Sequence, residues 1–100
     1  MINDFSDETI AQARAVVLKW VTQHTAGDFP TNGDLARQFC LLLPPEVSLE
    51  LRTSHNPSSL VYEARWYHDR RDVADFPKPF CAEIEADARI LACAAMVQLG

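Results

Sequence analysis

The segment EVSLELRTSHNPSSLVYEARWYH constrains the fold of this chain more than any other. Apolar and polar residues alternate before and after Asn-Pro-Ser-Ser, as in two half-buried strands joined by a turn. A turn at 56–59 places Arg52 opposite Glu63 and Glu50 opposite Arg65. A pairing two residues shorter would place Glu50 opposite Glu63, and like charges that face each other destabilise a strand pair. The charges therefore select one antiparallel register.

The other surface of this hairpin collects the apolar side chains. A slip of one residue would mix the apolar face with the charged face. We therefore expect one buried face, on which Trp66 packs beside Leu49 against a helix. In the selected register the pairs on this face are Leu51 with Ala64, Leu49 with Trp66 and Val47 with His68.

A long helix is predicted before the hairpin, in DFSDETIAQARAVVLKWVTQHTAGD. Asp4 or Ser6 is suited to cap its first turn, where the acidic residues that follow favour the positive end of the helix dipole. Gly27 is the predicted stop. Apolar residues recur at helical spacing in one stripe, which consists of Ile10, Ala13, Val17, Trp20 and Val21.

A second, shorter helix is predicted in PTNGDLARQFCLLLPP. Thr31, followed by Asp34 three residues later, resembles a capping box. Pro44 and Pro45 end the helix, because a prolyl ring clashes with the preceding helical turn. The expected apolar face contains Leu35, Phe39, Leu42 and Leu43.

The C-terminal part of the chain is predicted to form a helix over 86–99. Its expected stripe consists of Ala88, Leu91, Ala95 and Leu99. The residues before it, PFCAEIE at 79–85, fit two structures. Alternation of Phe80, Ala82 and Ile84 with charged or thiol side chains favours a third strand, and a helix that begins at Pro79 is the alternative.

These elements predict a single α+β domain over residues 1–100. Its order is α-α-β-β-(β)-α, with a small antiparallel sheet of two or three strands packed against the N-terminal and C-terminal helices. A sheet this small does not stand alone, so helices must cover its apolar face. A chain of 100 residues is long enough to bury one core.

Charge and cysteine content limit the function classes. The net charge of −5 opposes general affinity for nucleic acid, because phosphates attract clustered cations. Cys40, Cys81 and Cys93 are odd in number and form no CxxC pair, which favours reduced thiols in a cytoplasmic protein. The N-terminus lacks the features of a signal peptide, and no apolar stretch is long enough to span a membrane.

No residue pattern indicates a cofactor, a metal or a catalytic set, so the chain is predicted not to be an enzyme. The histidines and cysteines lack the short spacings of metal ligands. Cys81 or Cys93 with His68 leaves a small cysteine-dependent enzyme as one alternative, although Cys93 lies in a helix that is expected to be packed. The segment TNGDLARQF resembles the first helix of a helix-turn-helix, which leaves a winged-helix-like nucleic-acid-binding module as another.

The end of the second strand, His68-Asp69-Arg70-Arg71, has two interpretations. It is either a solvated strand end whose charges pair with each other, or part of a surface that binds another protein. Arginine and aromatic residues are enriched at such surfaces, and the stiff loop DFPKPF would lose little entropy on binding. The predicted contact residues are Tyr67, Arg70, Arg71, Phe76, Lys78 and Phe80.

The ending FCAEIEADARILACAAMVQLG, behind a strand that carries a tryptophan, resembles the C-terminal half of the small phage "ABA sandwich" domains. The likeness covers about 40 residues and rests on composition, and the second N-terminal helix departs from it. It implies a phage or prophage origin and no catalytic residues. By analogy we expect a small acidic protein that binds a partner protein, as an inhibitor of host machinery such as an anti-CRISPR protein does. A homo-oligomer is compatible with the sequence.

Overall fold

The computed structural model describes residues 6–56 and 59–99. In this part of the chain the order of helices and strands confirms the predicted α+β class, with helices at both ends and an antiparallel sheet between them. The elements are α1 (Asp7–His24), α2 (Asn32–Leu41), β1 (Val47–Asn56), β2 (Ser59–His68), β3 (Arg71–Asp72), β4 (Phe80–Ala82) and α3 (Glu85–Leu99).

The hairpin of β1 and β2 has the predicted register over its whole length. Glu50 lies opposite Arg65 and Leu49 opposite Trp66, and the ladder runs without interruption to Asn56 opposite Ser59. The two central residues of the predicted turn, 57–58, lie outside the described residues. Alternation and charge pairing are local properties of this hairpin, which is why the sequence alone predicts its register.

Strand β2 is the centre of the sheet, with β1 on one side and both β3 and β4 on the other. The predicted third strand is confirmed as β4, but it is shorter than the alternation of 79–85 indicated. Ile84 lies outside it with 60% of its surface exposed. The carbonyl oxygen of Ile84 accepts hydrogen bonds from the N–H groups of Asp87 and Ala88. Ile84 therefore belongs to the start of α3 and not to the strand.

Both N-terminal helices begin where the sequence predicts. The side chain of Ser6 accepts from the N–H of Thr9, and that of Thr31 accepts from the N–H of Asp34.

The prediction that Gly27 ends α1 is wrong. The helix ends at His24, because the backbone of Thr25 is extended. The N–H of Thr25 makes the last helical hydrogen bond, to the carbonyl oxygen of Val21. Gly27 lies in the following loop at φ +156°, and a Cβ there would lie 2.9 Å from Cζ of Phe29. The path of the loop requires glycine at this position, and the end of the helix does not.

Helix α3 lies at the centre of the molecule. It packs on β2 and β4, and also on α1 and α2. The predicted stripe through Ala88, Leu91, Ala95 and Leu99 is confirmed at Ala88, which is buried, and at Leu91, which packs against the core, but it is wrong at Leu99, which is 50% exposed. A helix enclosed from several directions has no single apolar stripe. Its buried residues are mostly small and include neighbours in sequence, namely Ala88, Ile90, Ala92, Cys93 and Ala94.

Trp66 joins the sheet to the helices, which confirms that it packs on the covered face. Its ring is 1% exposed, and its indole Nε1–H donates to the carbonyl oxygen of Ala92 at 2.8 Å. The ring of Phe39 on α2 meets it edge to face at 6.2 Å, and Phe39 in turn contacts Trp20 on α1. A line of aromatic rings therefore runs from the sheet through α2 to α1.

A polar network links the middle of α1 to the first turns of α2 and α3. The guanidinium of Arg14 on α1 donates to Oδ1 of Asn32 at 2.8 Å and to the carbonyl oxygen of Phe29. The amide of Asn32 donates to Oδ1 of Asp87 on α3 at 2.9 Å. Asn32 thus links two charged groups that belong to helices far apart in sequence.

Candidate functional site

The segment His68–Arg71 is a tight reversal that joins β2 to β3. His68 lies opposite Arg71, so only two residues form the turn. Those two, Asp69 at φ +51° and Arg70 at φ +68°, both have left-handed backbone. Such two-residue turns normally contain glycine, asparagine or aspartate, so Asp69 fits its position, whereas the left-handed conformation costs about 1–2 kcal/mol at Arg70. The predicted strand end is therefore also a strained turn.

Backbone contacts hold this turn against the sheet. The N–H of Asp69 donates to the carbonyl oxygen of Glu46 at 2.9 Å, and the N–H of Val73 donates to that of Trp66 at 3.4 Å. Oδ2 of Asp69 lies 3.5 Å from Nδ1 of His68, but both side chains are more than half exposed. Solvent weakens an ion pair of this kind, so the backbone bonds keep the turn in place.

The cations of this segment are exposed. Arg70, Arg71 and Lys78 form no ion pair within the described residues, in which the ion pairs are His68–Asp69 and Glu85–Arg89. The first interpretation of the sequence, in which the charges of this segment pair with each other, therefore applies there to His68 and Asp69, whose contact is an ion pair only when the histidine is protonated. The two adjacent arginines are left to solvent, Arg70 in the turn and Arg71 at the start of β3.

The structure brings some of the predicted contact residues together and separates others. Phe76 and Phe80 are in edge-to-face contact at 5.5 Å, and both are half-buried against the core. Phe80 pairs with Ala64, a buried residue of the helix-covered face. Tyr67 alternates with Trp66 along β2 and so lies on the opposite, open face. Tyr67 and Phe80 therefore lie on opposite faces of the sheet.

A second surface, which the sequence analysis missed, is a groove of about 800 Å³ between α2, the start of β1 and the start of α3. Leu41 and Ile84 lie on it with 69% and 60% of their surfaces exposed. The guanidinium of Arg89 pairs with Glu85 at 3.1 Å, whereas Arg37 has no ion pair in the described part of the chain. The lining residues are Gly33, Arg37, Cys40, Leu41, Val47, Ser48, Leu49, Ile84, Glu85, Ala86 and Arg89.

Two cysteines meet at this groove. Cys40 lines it, and Cys93 is buried behind it. A hydrogen bond from the Cys93 thiol lowers the pKa of Cys40, burial opposes this change, and the charge of Arg89 adds to it. The same hydrogen bond, together with burial, raises the pKa of Cys93, which therefore stays protonated. The sequence contains no local sign of this contact, because helices α2 and α3 bring the two thiols together.

Comparisons of the chain with protein-family models, with curated proteins and with solved structures gave no match. Across residues 6–56 and 59–99, no helix combines the length and the apolar character needed to cross a membrane. The same residues contain no group of three or more histidine, cysteine, aspartate or glutamate side chains placed to hold a metal ion.

Proposed function

We propose that this protein acts without catalysis by binding a partner protein, and that Arg70 and Arg71 make the central contact. One observation carries the proposal. Two adjacent arginines are exposed, and Arg70 lies in a tight turn with left-handed backbone, a conformation that arginine rarely adopts. Strained backbone of this kind persists where its surroundings enforce it, and it occurs preferentially at binding sites and ligand clamps.

The chemistry of arginine indicates the kind of partner surface. A guanidinium binds a carboxylate through two parallel hydrogen bonds, so the partner should present aspartate or glutamate side chains. The net charge of −5 gives no long-range attraction to such a partner. Affinity must therefore come from short-range pairing, which a turn held in one conformation favours because little backbone entropy is lost on binding.

The resemblance to small phage domains supports a narrower form of the proposal. In this form the protein derives from a phage or prophage and inhibits host machinery, as anti-CRISPR proteins do. The cytoplasm is the proposed location, because none of the three cysteines forms a disulfide.

The test is partner capture by the double variant Arg70→Glu/Arg71→Glu from a nuclease-treated bacterial lysate. Because both side chains are exposed, the melting temperature should stay nearly unchanged. Capture should weaken at least tenfold, about 1.4 kcal/mol. The matched control is Lys19→Glu/Arg37→Glu, which changes the net charge equally at two other exposed sites and should leave capture intact.

Two results would contradict this assignment. Unchanged capture by Arg70→Glu/Arg71→Glu would mean that the turn is only a solvated strand end. Loss of capture in the Lys19→Glu/Arg37→Glu control, with the turn variant unaffected, would move the contact to the groove that Arg37 lines.

A cysteine-dependent reaction in the groove is the second candidate function. The observation that favours it is the position of Cys40, which lines the groove near Arg89 and has its pKa lowered by Cys93. A lower pKa increases the thiolate fraction at neutral pH, and the thiolate is the nucleophilic form.

Alkylation with iodoacetamide across a pH series tests this candidate. Cys93→Ala removes the hydrogen bond, so the midpoint of Cys40 alkylation should move to higher pH. Peptide mapping identifies the modified residue, and Cys81→Ala serves as the control with the Cys40–Cys93 contact intact. An unchanged midpoint in Cys93→Ala would show that the contact does not activate Cys40.

A further inference from the structure

The outer edge of β1 carries no partner strand within the described residues. The strand is ten residues long and pairs with β2 on its other side alone. Its ladder with β2 is continuous, so no bulge twists the edge away. A long, regular edge exposes main-chain donors and acceptors that can pair with another strand.

The direction of these groups follows from one hydrogen bond. The N–H of Asp69 donates to the carbonyl oxygen of Glu46, which places the main-chain groups of Glu46 toward β2. Main-chain groups point alternately to the two sides of an antiparallel strand. Those of Leu49, Leu51 and Thr53 therefore point away from β2 and toward the open edge.

We propose that β1 pairs antiparallel with β1 of a second copy of this chain, with the two Leu51 residues opposite each other at the two-fold axis. The side chains of the strand complement themselves in this register. Glu50 lies opposite Arg52 of the second copy, and symmetry repeats the pair. Leu49 lies opposite Thr53 of the second copy on the helix-covered face. Cross-strand pairs of opposite charge stabilise a sheet.

Two-fold registers centred on Leu49, Glu50 or Arg52 are less favourable. An axis at Glu50 or at Arg52 would place that residue opposite its own copy, which brings like charges together. An axis at Leu49 would pair only residues 47–51 of the strand. The axis at Leu51 places residues 47–55 of the two copies opposite each other, which is nearly the whole of β1, and the outward N–H of Val47 keeps its bond to the carbonyl oxygen of Pro44.

The second copy would also cover apolar surface. Leu49 and Leu51 are only half-buried in the single chain, although they lie on the face that packs against the core. The groove along the start of β1 adjoins the same edge. A sheet that continues across two copies covers the side chains of Leu49 and Leu51 and removes water from them. This burial of apolar surface adds to the main-chain hydrogen bonds between the copies.

Sedimentation velocity over a concentration series tests the proposal. The unmodified protein should move from the 11.2 kDa chain mass to twice that mass as its concentration rises. Arg52→Glu/Glu63→Arg keeps opposite charges opposite each other inside the hairpin, but places a carboxylate against Glu50 of the second copy. Its dissociation constant should rise at least tenfold.

The matched rescue adds Glu50→Arg/Arg65→Glu to that variant. All charge pairs are then opposite again, both inside the hairpin and between the copies, so dimerisation should return. Thr53→Pro is a second, independent variant that removes an outward N–H while leaving the bonds to β2. Because proline is tolerated on edge strands, it should keep the melting transition and lose the dimer.

Three outcomes would overturn the proposal. The first is an unmodified protein that stays monomeric at millimolar concentration. The second is a dimer that survives both Thr53→Pro and Arg52→Glu/Glu63→Arg, since another surface would then hold it. The third is a variant with Arg52→Glu, Glu63→Arg, Glu50→Arg and Arg65→Glu that melts like the parent but stays monomeric.

Discussion

The two faces of β2 differ sharply although their residues alternate along one strand. Ala64 and Trp66 are buried against helices, whereas their neighbours Arg65 and Tyr67 lie on a face that the described helices leave open. Trp66 has a hydrogen bond and an aromatic contact to different helices, while Arg65 lies opposite Glu50 at the surface. We infer that stability is concentrated on one face and that the other is available for contacts.

Of the substitutions that test this difference between the two faces, Trp66→Ala should have the largest effect on stability. It should lower the free energy of unfolding by about 3–5 kcal/mol, because it opens a cavity between the sheet and α3 and removes the bond to Ala92. Urea denaturation measures the change. Tyr67→Ala is the matched control on the open face and should have a much smaller effect. If Trp66→Ala unfolds like the parent, the faces are assigned wrongly.

An intermediate effect is expected at the turn, where Arg70→Gly should stabilise the protein by about 1 kcal/mol. Glycine adopts the left-handed conformation of residue 70 without steric conflict. Arg71→Gly is the control, since Arg71 lies in the extended β3 and glycine weakens a strand. Thermal unfolding of both variants should shift in opposite directions. A decrease for Arg70→Gly would mean that the arginine side chain stabilises the turn.

The smallest effect is expected from Arg65→Ala on the open face. Removal of this cross-strand partner of Glu50 should change stability by about 0.5 kcal/mol or less. A double-mutant cycle with Glu50→Ala, measured at a concentration where the protein is monomeric, gives the pair energy, which should fall as salt is added. A coupling of several kcal/mol would contradict the conclusion that this face contributes little to stability.

Part of the candidate site was predictable from residue order. The exposed arginines at the end of β2 were recognised because they are the adjacent cations of an acidic chain. The turn that presents them was not, since Arg70 is not a residue that normally marks a left-handed position. The backbone bond from Asp69 to Glu46 holds it there, and the pairing of β1 with β2 brings these two residues together.

The sequence by itself determined the features that depend on near neighbours. The register of β1 with β2 follows from alternation and opposite charges, and the helix starts follow from Ser6 and Thr31. Only the tertiary structure decided that α3 is enclosed on several sides, that Cys40 meets Cys93 and that a groove lies beside β1. Such contacts join residues far apart in sequence, and they depend on how whole elements pack rather than on any local pattern.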